Sequence, residues 1–389
     1  MNNPQVLLVS TGTWHMDKTA KAFAARDALA GLWMANRNSS GVPTDKYRRC
    51  WPFHVAVKPF YELMPKHYWE HAFYAFVPIW SRWIRSQPLP PCNVVQAIMG
   101  FGTEIFDRAE KTGALKVVDC PNSHPTSYFG FWQRECDLWY PGAKVIVPRW
   151  MYARMNRELE RADLIIVQSR FARESMIYNG IPERKVFVNV MGVDSTLFKR
   201  RTEIPSTPRF ISVGGAITLR KGYQYLFRAF KLVKKEIPDA ELICVGIYKY
   251  DFRKERRQWE GTFTHYQDLP QSKVAELLQT STAFVFPSQE EGIARAQIEA
   301  LAAGLPVIGT HEGGATTIVE DGVEGFIVNG RDPQQIAEAM IRLARDPELN
   351  QRMGDAAYRK GAARNTWQDY GDRLLVEYER RLASPTSST

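Results

Sequence analysis

Residues 284–328 read FVFPSQEEGIARAQIEALAAGLPVIGTHEGGATTIVEDGVEGFIV. A short apolar strand, Ala283 to Phe286, is stopped by Pro287-Ser288. A helix rich in small residues follows and ends at Gly304, and Pro306 to Gly309 reads as a second strand. A strand, a helix and a strand in so short a span predict one unit of a parallel sheet. The same alternation continues outward. Arg209 to Val213 and Ala240 to Val245 read as strands, and Gly222 to Glu236, Gln271 to Gln279 and Gln334 to Arg345 as helices. In the first half, strands are expected at Val6 to Ser10, Val94 to Met99, Lys116 to Asp119 and Leu164 to Gln168. The pattern predicts an α/β protein of two doubly wound domains facing across a cleft, with ligands at the carboxyl ends of the strands.

The quoted stretch also carries chemistry. Glu291 stands at the mouth of the turn into the helix, and Glu299 lies about two turns further on, eight residues away. Both can reach one ligand from the same side. The amides of Gly292, Ile293 and Ala294 are expected at the helix N-terminus, where unpaired N–H groups and the dipole favour phosphate. Acids for hydroxyl groups and amides for phosphate together suit a nucleotide-sugar. Glu299 is the candidate for ribose, because a carboxylate accepts from both hydroxyls of a vicinal diol. Glu290 rivals Glu291 for the position facing the sugar, and only the spacing to Glu299 separates them.

The ordered set of motifs resembles the retaining family 4 glycosyltransferases of the GT-B fold. The E-x7-E spacing of Glu291 and Glu299 is one part. The others are Arg161 to Ser169, Asn179-Gly180-Ile181-Pro182 to Val186, Gly192-Val193-Asp194 to Phe198, Val213-Gly214-Gly215 to Gly222, Gly313-Gly314, and Asp321-Gly322 to Gly325. The likeness covers the chain from about Arg161 onward and is thin before it. It implies two Rossmann-like domains: residues 1–200 on the acceptor side, joined by a C-terminal crossover helix at 367–382, and residues 205–366 for the nucleotide-sugar. The division is expected in the Pro- and Thr-bearing segment Lys199 to Pro208, and residues 384–389 are expected to be disordered.

Under this resemblance Lys221 meets the diphosphate, where a preorganised cation stabilises the charge that builds on the leaving group. The family's usual arginine falls on Ala216, so Arg220 is the candidate replacement. Gly214-Gly215 allows close backbone approach to phosphate. Gly12, after the first strand, resembles the family's glycine loop over the donor phosphates. His124 sits where the family places a histidine against the donor sugar, and with Glu291 and Lys221 it completes the catalytic candidates. Asp119, Arg134 and Glu135 are weaker candidates for the acceptor side. The resemblance implies a metal-independent, retaining transfer from a UDP- or GDP-sugar to a glycan or lipid-linked acceptor, with no other cofactor and no nucleic acid. A GT-B phosphorylase or synthase and a non-catalytic nucleotide-sugar-binding relative are the alternatives.

Composition sets bounds. The chain has 389 residues, enough for two domains, and 44% hydrophobic and 24% charged residues, which are globular values. Its five cysteines are scattered and odd in number, which with the lack of a leader segment or an 18-residue apolar run predicts a reduced, cytoplasmic setting. No Asp-x-Asp metal clamp occurs. Gly12 to Thr19 is a phosphate loop spoiled by Asp17 in place of glycine, and His67 to His71 matches H-x-x-E-H without an evident third ligand. The latter reads better as an amphipathic helix on the acceptor side. The net charge of +9 falls wholly in residues 1–200, with 26 Lys and Arg against 17 Asp and Glu. Nine of the eleven tryptophans lie between Trp14 and Trp150. That basic, aromatic half is expected to meet an anionic membrane face or a phosphorylated acceptor, with Trp69, Trp80 and Trp83 presented roughly on one side.

Overall fold

A computed structural model describes residues 3–37, 41–63, 74–145, 147–249, 252, 257–259, 261–362 and 365–383. Residues 60–63 and 362 are described by their backbone alone. The expected disordered tail at 384–389 and the His67/His71 pair with Trp69 lie outside the described residues.

The strands of the first half are β1 (Val6–Ser10), β2 (Leu29–Met34), β3 (Tyr47–Arg49), β4 (Val94–Ile98), β5 (Leu115–Cys120), β6 (Leu164–Val167) and β7 (Val186–Val188). Those of the second are β8 (Arg209–Ile217), β9 (Glu241–Tyr248), β10 (Thr264–Tyr266), β11 (Ala283–Phe286), β12 (Val307–Gly309) and β13 (Gly325–Ile327). They form two sheets, ordered β3-β2-β1-β4-β5-β6-β7 and β10-β9-β8-β11-β12-β13. The pairs in both sheets run parallel. The expected pair of doubly wound domains is therefore present. Each sheet reverses its winding between two central strands, β1 and β4 in one and β8 and β11 in the other. These reversals are where such sheets open a crevice for ligands.

The helices are α1 (Met16–Ala24), α2 (Trp51–Leu63), α3 (Val77–Ser86), α4 (Thr103–Thr112), α5 (Pro125–Trp139), α6 (Arg149–Arg161) and α7 (Arg170–Tyr178) in the first half. The second half has α8 (Tyr223–Glu236), α9 (Gln271–Gln279), α10 (Arg295–Ala302), α11 (Pro333–Arg345), α12 (Pro347–Ala362) and α13 (Trp367–Ala383). Local sequence accounts for their form. In α8 the buried Tyr223, Leu226, Phe227, Phe230 and Val233 recur at helical spacing and face the second core. Asp332 caps α11, its side chain accepting from the Gln334 and Gln335 amides at 3.0 and 3.1 Å, and Pro333 opens the first turn. The central strand β1, Val-Leu-Leu-Val-Ser, is buried along its whole length because helices cover both faces.

Two helices tie the sheets together. α13 lies on α1: Tyr370, Leu374 and Tyr378, four residues apart, are fully buried in the first core. Any Cβ at Gly371 would come 2.5 Å from that of Ala22. α5 follows β5 of the first sheet, yet its Trp132 and Cys136 are buried in the second core.

Three expectations change. β8 continues past Val213 to Ile217, and Gly214-Gly215 forms an irregularity within it, between Val213 and Ala216, rather than a loop after it. α10 begins only at Arg295, so Glu299 lies about one turn into it, not two. The delay has a cause: the Glu291 amide donates to Glu312 O at 2.8 Å, which holds that part of the turn out of the helix. Trp80 is not on a membrane-facing side. It is fully buried against Phe53 and Trp83, and its indole N–H donates to Phe101 O at 3.3 Å.

Candidate active site

The loops after β8 and β11 meet at the reversal point of the second sheet. Gly222 makes that meeting feasible. It has φ +75° at the start of α8, and a Cβ there would come within 1.9 Å of Pro287 O. The Gln289 amide then donates to Arg220 O at 2.8 Å, locking one loop on the other. The result brings Arg220 and Lys221 onto Glu291. Lys221 Nζ lies 3.0 Å from Glu291 Oε1, and Arg220 NH1 donates to the same oxygen at 3.2 Å. Burial alone pushes the Glu291 carboxyl up. Lys221 and Arg220 outweigh that and hold it below the usual carboxylate range.

Glu290 does something else. Its Oε1 accepts from the Ser123 amide at 3.0 Å and from the Ser123 hydroxyl at 2.8 Å, and its Oε2 accepts from Arg220 NH1 at 2.7 Å. Ser123 belongs to the loop after β5, in the other sheet. The Glu290 carboxylate is thus consumed in joining the two halves, while Glu291 is left facing Lys221. Burial raises the Glu290 pKa, against the pull of Arg220. Gly292 continues the junction, since a Cβ there would come 2.1 Å from Pro121 O. The amides of Gly292, Ile293 and Ala294 donate to no described residue.

His124 is one residue beyond the Ser123 junction and is the N-cap of α5. Its Nδ1 accepts from the Thr126 amide at 3.2 Å. Burial lowers its pKa to about 4, so the ring is neutral at pH 7 and carries its proton on Nε2. It is suited to donating a hydrogen bond to a hydroxyl and not to acting as a cation.

Glu299 opens onto a neighbouring part of the cleft, lined also by Thr13, Trp14, Asp17, Lys18, Asp194, Gln271, Arg295 and Trp367. Glu299 is 5% exposed, with Arg295 Nε 3.0 Å from its Oε1. Burial raises its pKa and Arg295 opposes the rise. The first-domain loop that holds Gly12 is therefore brought beside Glu299. The glycine there leaves room for an aromatic side chain, because a Cβ would come 2.9 Å from the Trp14 indole nitrogen. Gly215 has open space where its Cβ would be.

The three weaker candidates are not brought together. Asp119 is fully buried, and its Oδ2 lies 2.9 Å from His15 Nε2 and accepts from Gln96 Nε2 at 2.8 Å. His15 in turn meets the Tyr370 hydroxyl at 3.2 Å, which ties Asp119 to the crossover helix. Glu135 is fully buried between the halves, where Arg331 Nε donates to it at 2.8 Å, Tyr225 OH at 2.9 Å and Gln224 Nε2 at 3.0 Å. Both carboxylates are occupied by partners within the chain. Arg134 is exposed on α5. Sequence reading missed the Glu290–Ser123 and Glu135–Arg331 junctions because each joins residues more than 160 positions apart. It also missed Tyr128, whose ring lies 5.0 Å beneath the Arg220 guanidinium.

Residues 194–360, less than half of the chain, match the family described as "Glycosyl transferases group 1". Spore coat protein SA of Bacillus subtilis is 28% identical over 178 residues, 43% of this chain and 47% of that protein. The MMP alpha-(1->4)-mannosyltransferase of Mycolicibacterium hassiacum is 26% identical over 248 residues, 62% of this chain and 60% of that protein. The chain thus spans about half the length of the curated relatives it matches. Among solved structures, sucrose-phosphate synthase from Thermosynechococcus elongatus aligns with a TM-score of 0.70 at 16% identity, over 98% of this chain and 100% of that one. Anabaena HepE in complex with UDP and glucose aligns with a TM-score of 0.69 at 14% identity, over 97% of this chain and 100% of that one. The likeness to these solved structures gives the fold, the GT-B arrangement of two parallel-sheet domains.

Proposed function

We propose that this chain transfers a sugar from a nucleoside diphosphate sugar to an acceptor hydroxyl, with retention at the anomeric carbon and without a metal ion. The observation that carries this reading is the convergence of Lys221 and Arg220 on Glu291 at the reversal point of the second sheet. The leaving diphosphate needs positive charge that is already in place and shielded from water. Lys221 and Arg220 supply it, and the amides of 292–294 at the start of α10 add to it. Arg220 thereby takes the role of the arginine that the family resemblance places at Ala216. Glu299 holds the ribose hydroxyls, and Gly12 and Gly215 give the phosphates room. Glu291 keeps the two cations in place and meets a sugar hydroxyl, and His124 donates from Nε2 to another. Front-face displacement, in which the departing diphosphate takes the acceptor proton, fits a site without an evident nucleophile.

HepE is described with UDP and with UDP-glucose, which favours a UDP- or GDP-sugar as the class to test first. We place the acceptor, a glycan or lipid-linked molecule, against the first domain, taken as residues 1–200 with the helix at 367–382, and the donor in 205–366. The role is placed in glycan, glycolipid or polysaccharide synthesis in the cytoplasm, with the basic first domain able to rest on an anionic membrane face. No described helix is long and apolar enough to cross a membrane. A panel of UDP- and GDP-sugars, assayed with and without EDTA and with the anomeric configuration read by NMR, tests the reading. Turnover in EDTA with a retained anomer is expected. Loss of all donor binding, or transfer only after a divalent ion is restored, removes it.

A further inference from the structure

The cleft-side edge of the first sheet carries a cluster of cations that the donor site does not use. Met34, the last residue of β2, pairs in register with Arg49, the last of β3. Arg37 follows β2, and α2 begins two residues after Arg49. These elements end at the carboxyl edge of the sheet, the side on which ligands bind. The Arg49 guanidinium lies 4.4 Å over the ring of Trp51. His54 stacks on the same indole, with centroids 5.7 Å apart and planes 28° from parallel. Lys58 is one helical turn beyond His54. Burial, and then Arg49, Lys58 and Arg37, lower the basicity of His54, so three cations act on one ring.

Two features of Arg49 and its platform point to an anion. Its Nε donates to Ala35 O at 3.3 Å, but its NH2 nitrogen is buried without an acceptor among the described residues. A buried donor left unpaired is costly, and for a guanidinium more so. Trp51 itself is 54% exposed, an aromatic surface open beside the charges. A carboxylate offers two oxygens and one charge. A phosphate ester offers three oxygens and up to two charges, which suits an arginine fork, a lysine and a histidine together.

We infer that Arg37, Arg49, His54 and Lys58 bind a phosphate-ester group beside Trp51, and that this group is the anionic part of the acceptor. The second clause rests on the transferase reading, and the anion site does not.

The test is equilibrium dialysis with labelled inorganic phosphate at low ionic strength, in the Lys221→Ala background, where the donor loop competes less. Binding is expected to persist there and to weaken about tenfold when Arg49→Gln and Lys58→Gln are added. Arg37→Gln with Lys58→Gln, both exposed, serves as a second variant in case the Arg49 side chain is needed for folding, and is expected to weaken binding about fivefold. Absence of phosphate binding in Lys221→Ala, or binding unchanged in both variants, overturns the site. Flotation with phosphatidylglycerol and phosphatidylcholine vesicles separates the sources. Arg49-dependent capture by the anionic vesicles alone identifies a lipid headgroup, and phosphate binding without capture identifies a soluble ester. UDP and GDP binding to the unaltered protein is measured alongside. Its absence removes the transferase reading and leaves the phosphate result standing.

Discussion

Ser123 and Glu290, 167 positions apart and on loops of different sheets, are joined by two hydrogen bonds to one carboxylate oxygen, at 3.0 and 2.8 Å. The other oxygen takes Arg220. The cation of the proposed donor site is therefore held by the same side chain that joins the halves. Removing Glu290 takes one of two carboxylates from a mostly buried guanidinium, which keeps Glu291, and leaves two unpaired donors on Ser123. Glu290→Ala is expected to lower unfolding stability by about 3–5 kcal/mol, as breaking a buried pair does. Urea unfolding read by circular dichroism checks it, and a change under 1 kcal/mol would show that the junction contributes little.

Donor affinity is expected to follow Lys221 and Glu299. Each loses a charge-assisted hydrogen bond on truncation, so Lys221→Ala and Glu299→Ala should each weaken nucleoside diphosphate binding by about 1–3 kcal/mol. Calorimetry with UDP and GDP measures this. Affinity unchanged in both variants removes the assigned donor site.

Gly292 is expected to tolerate no side chain. A Cβ would lie 2.1 Å from Pro121 O, and both partners are backbone, so the halves must shift apart. Gly292→Ala should cost transfer at least about tenfold, because a misplacement near 1 Å is severe at a reacting centre. Gly322→Ala, where nothing lies within 4 Å of the added carbon but φ is +81°, is the control for backbone strain alone. Equal loss in both variants would defeat the argument from close approach.

His124 should make the protein less stable in acid. Its folded pKa, lowered by burial to about 4, is below the ordinary histidine value of 6.5. Between those values the unfolded chain binds more protons, so stability falls as pH drops through that window. His124→Gln should flatten the dependence between pH 6.5 and about 4. Thermal melts across that range decide it, and identical slopes in the two proteins would count against a buried neutral ring. Glu291 acts in the same direction. Its depressed carboxyl contributes stability above the ordinary carboxylate range, and that contribution is lost as pH falls through its folded pKa.

Much of the fold was legible because its signals are local. The apolar runs at Val6, Val94, Leu164 and Ala283 are buried strands, and a buried strand needs no distant partner to be recognised. The helix over Gln271–Gln279 is bounded as its pattern predicts. Glu291 and Glu299 were picked out by spacing. Spacing to Glu299 was all that separated Glu290 from Glu291, because neighbouring carboxylates otherwise differ only in what they face.

The sequence by itself determined the two parallel sheets and the strand-to-helix-to-strand unit that begins at Ala283, for which periodicity, glycine positions and short spacings suffice. Lys221 is placed near the diphosphate only by the family resemblance. Only the tertiary structure decided that Glu290 belongs to Ser123, that Asp119 and Glu135 are internal ties, that Trp80 is core, and that Arg49, Trp51 and His54 stack at a sheet edge. The physical reason is desolvation. Whether a carboxylate or an indole is a ligand group or a strut depends on which partners burial leaves beside it, and those partners come from distant parts of the chain.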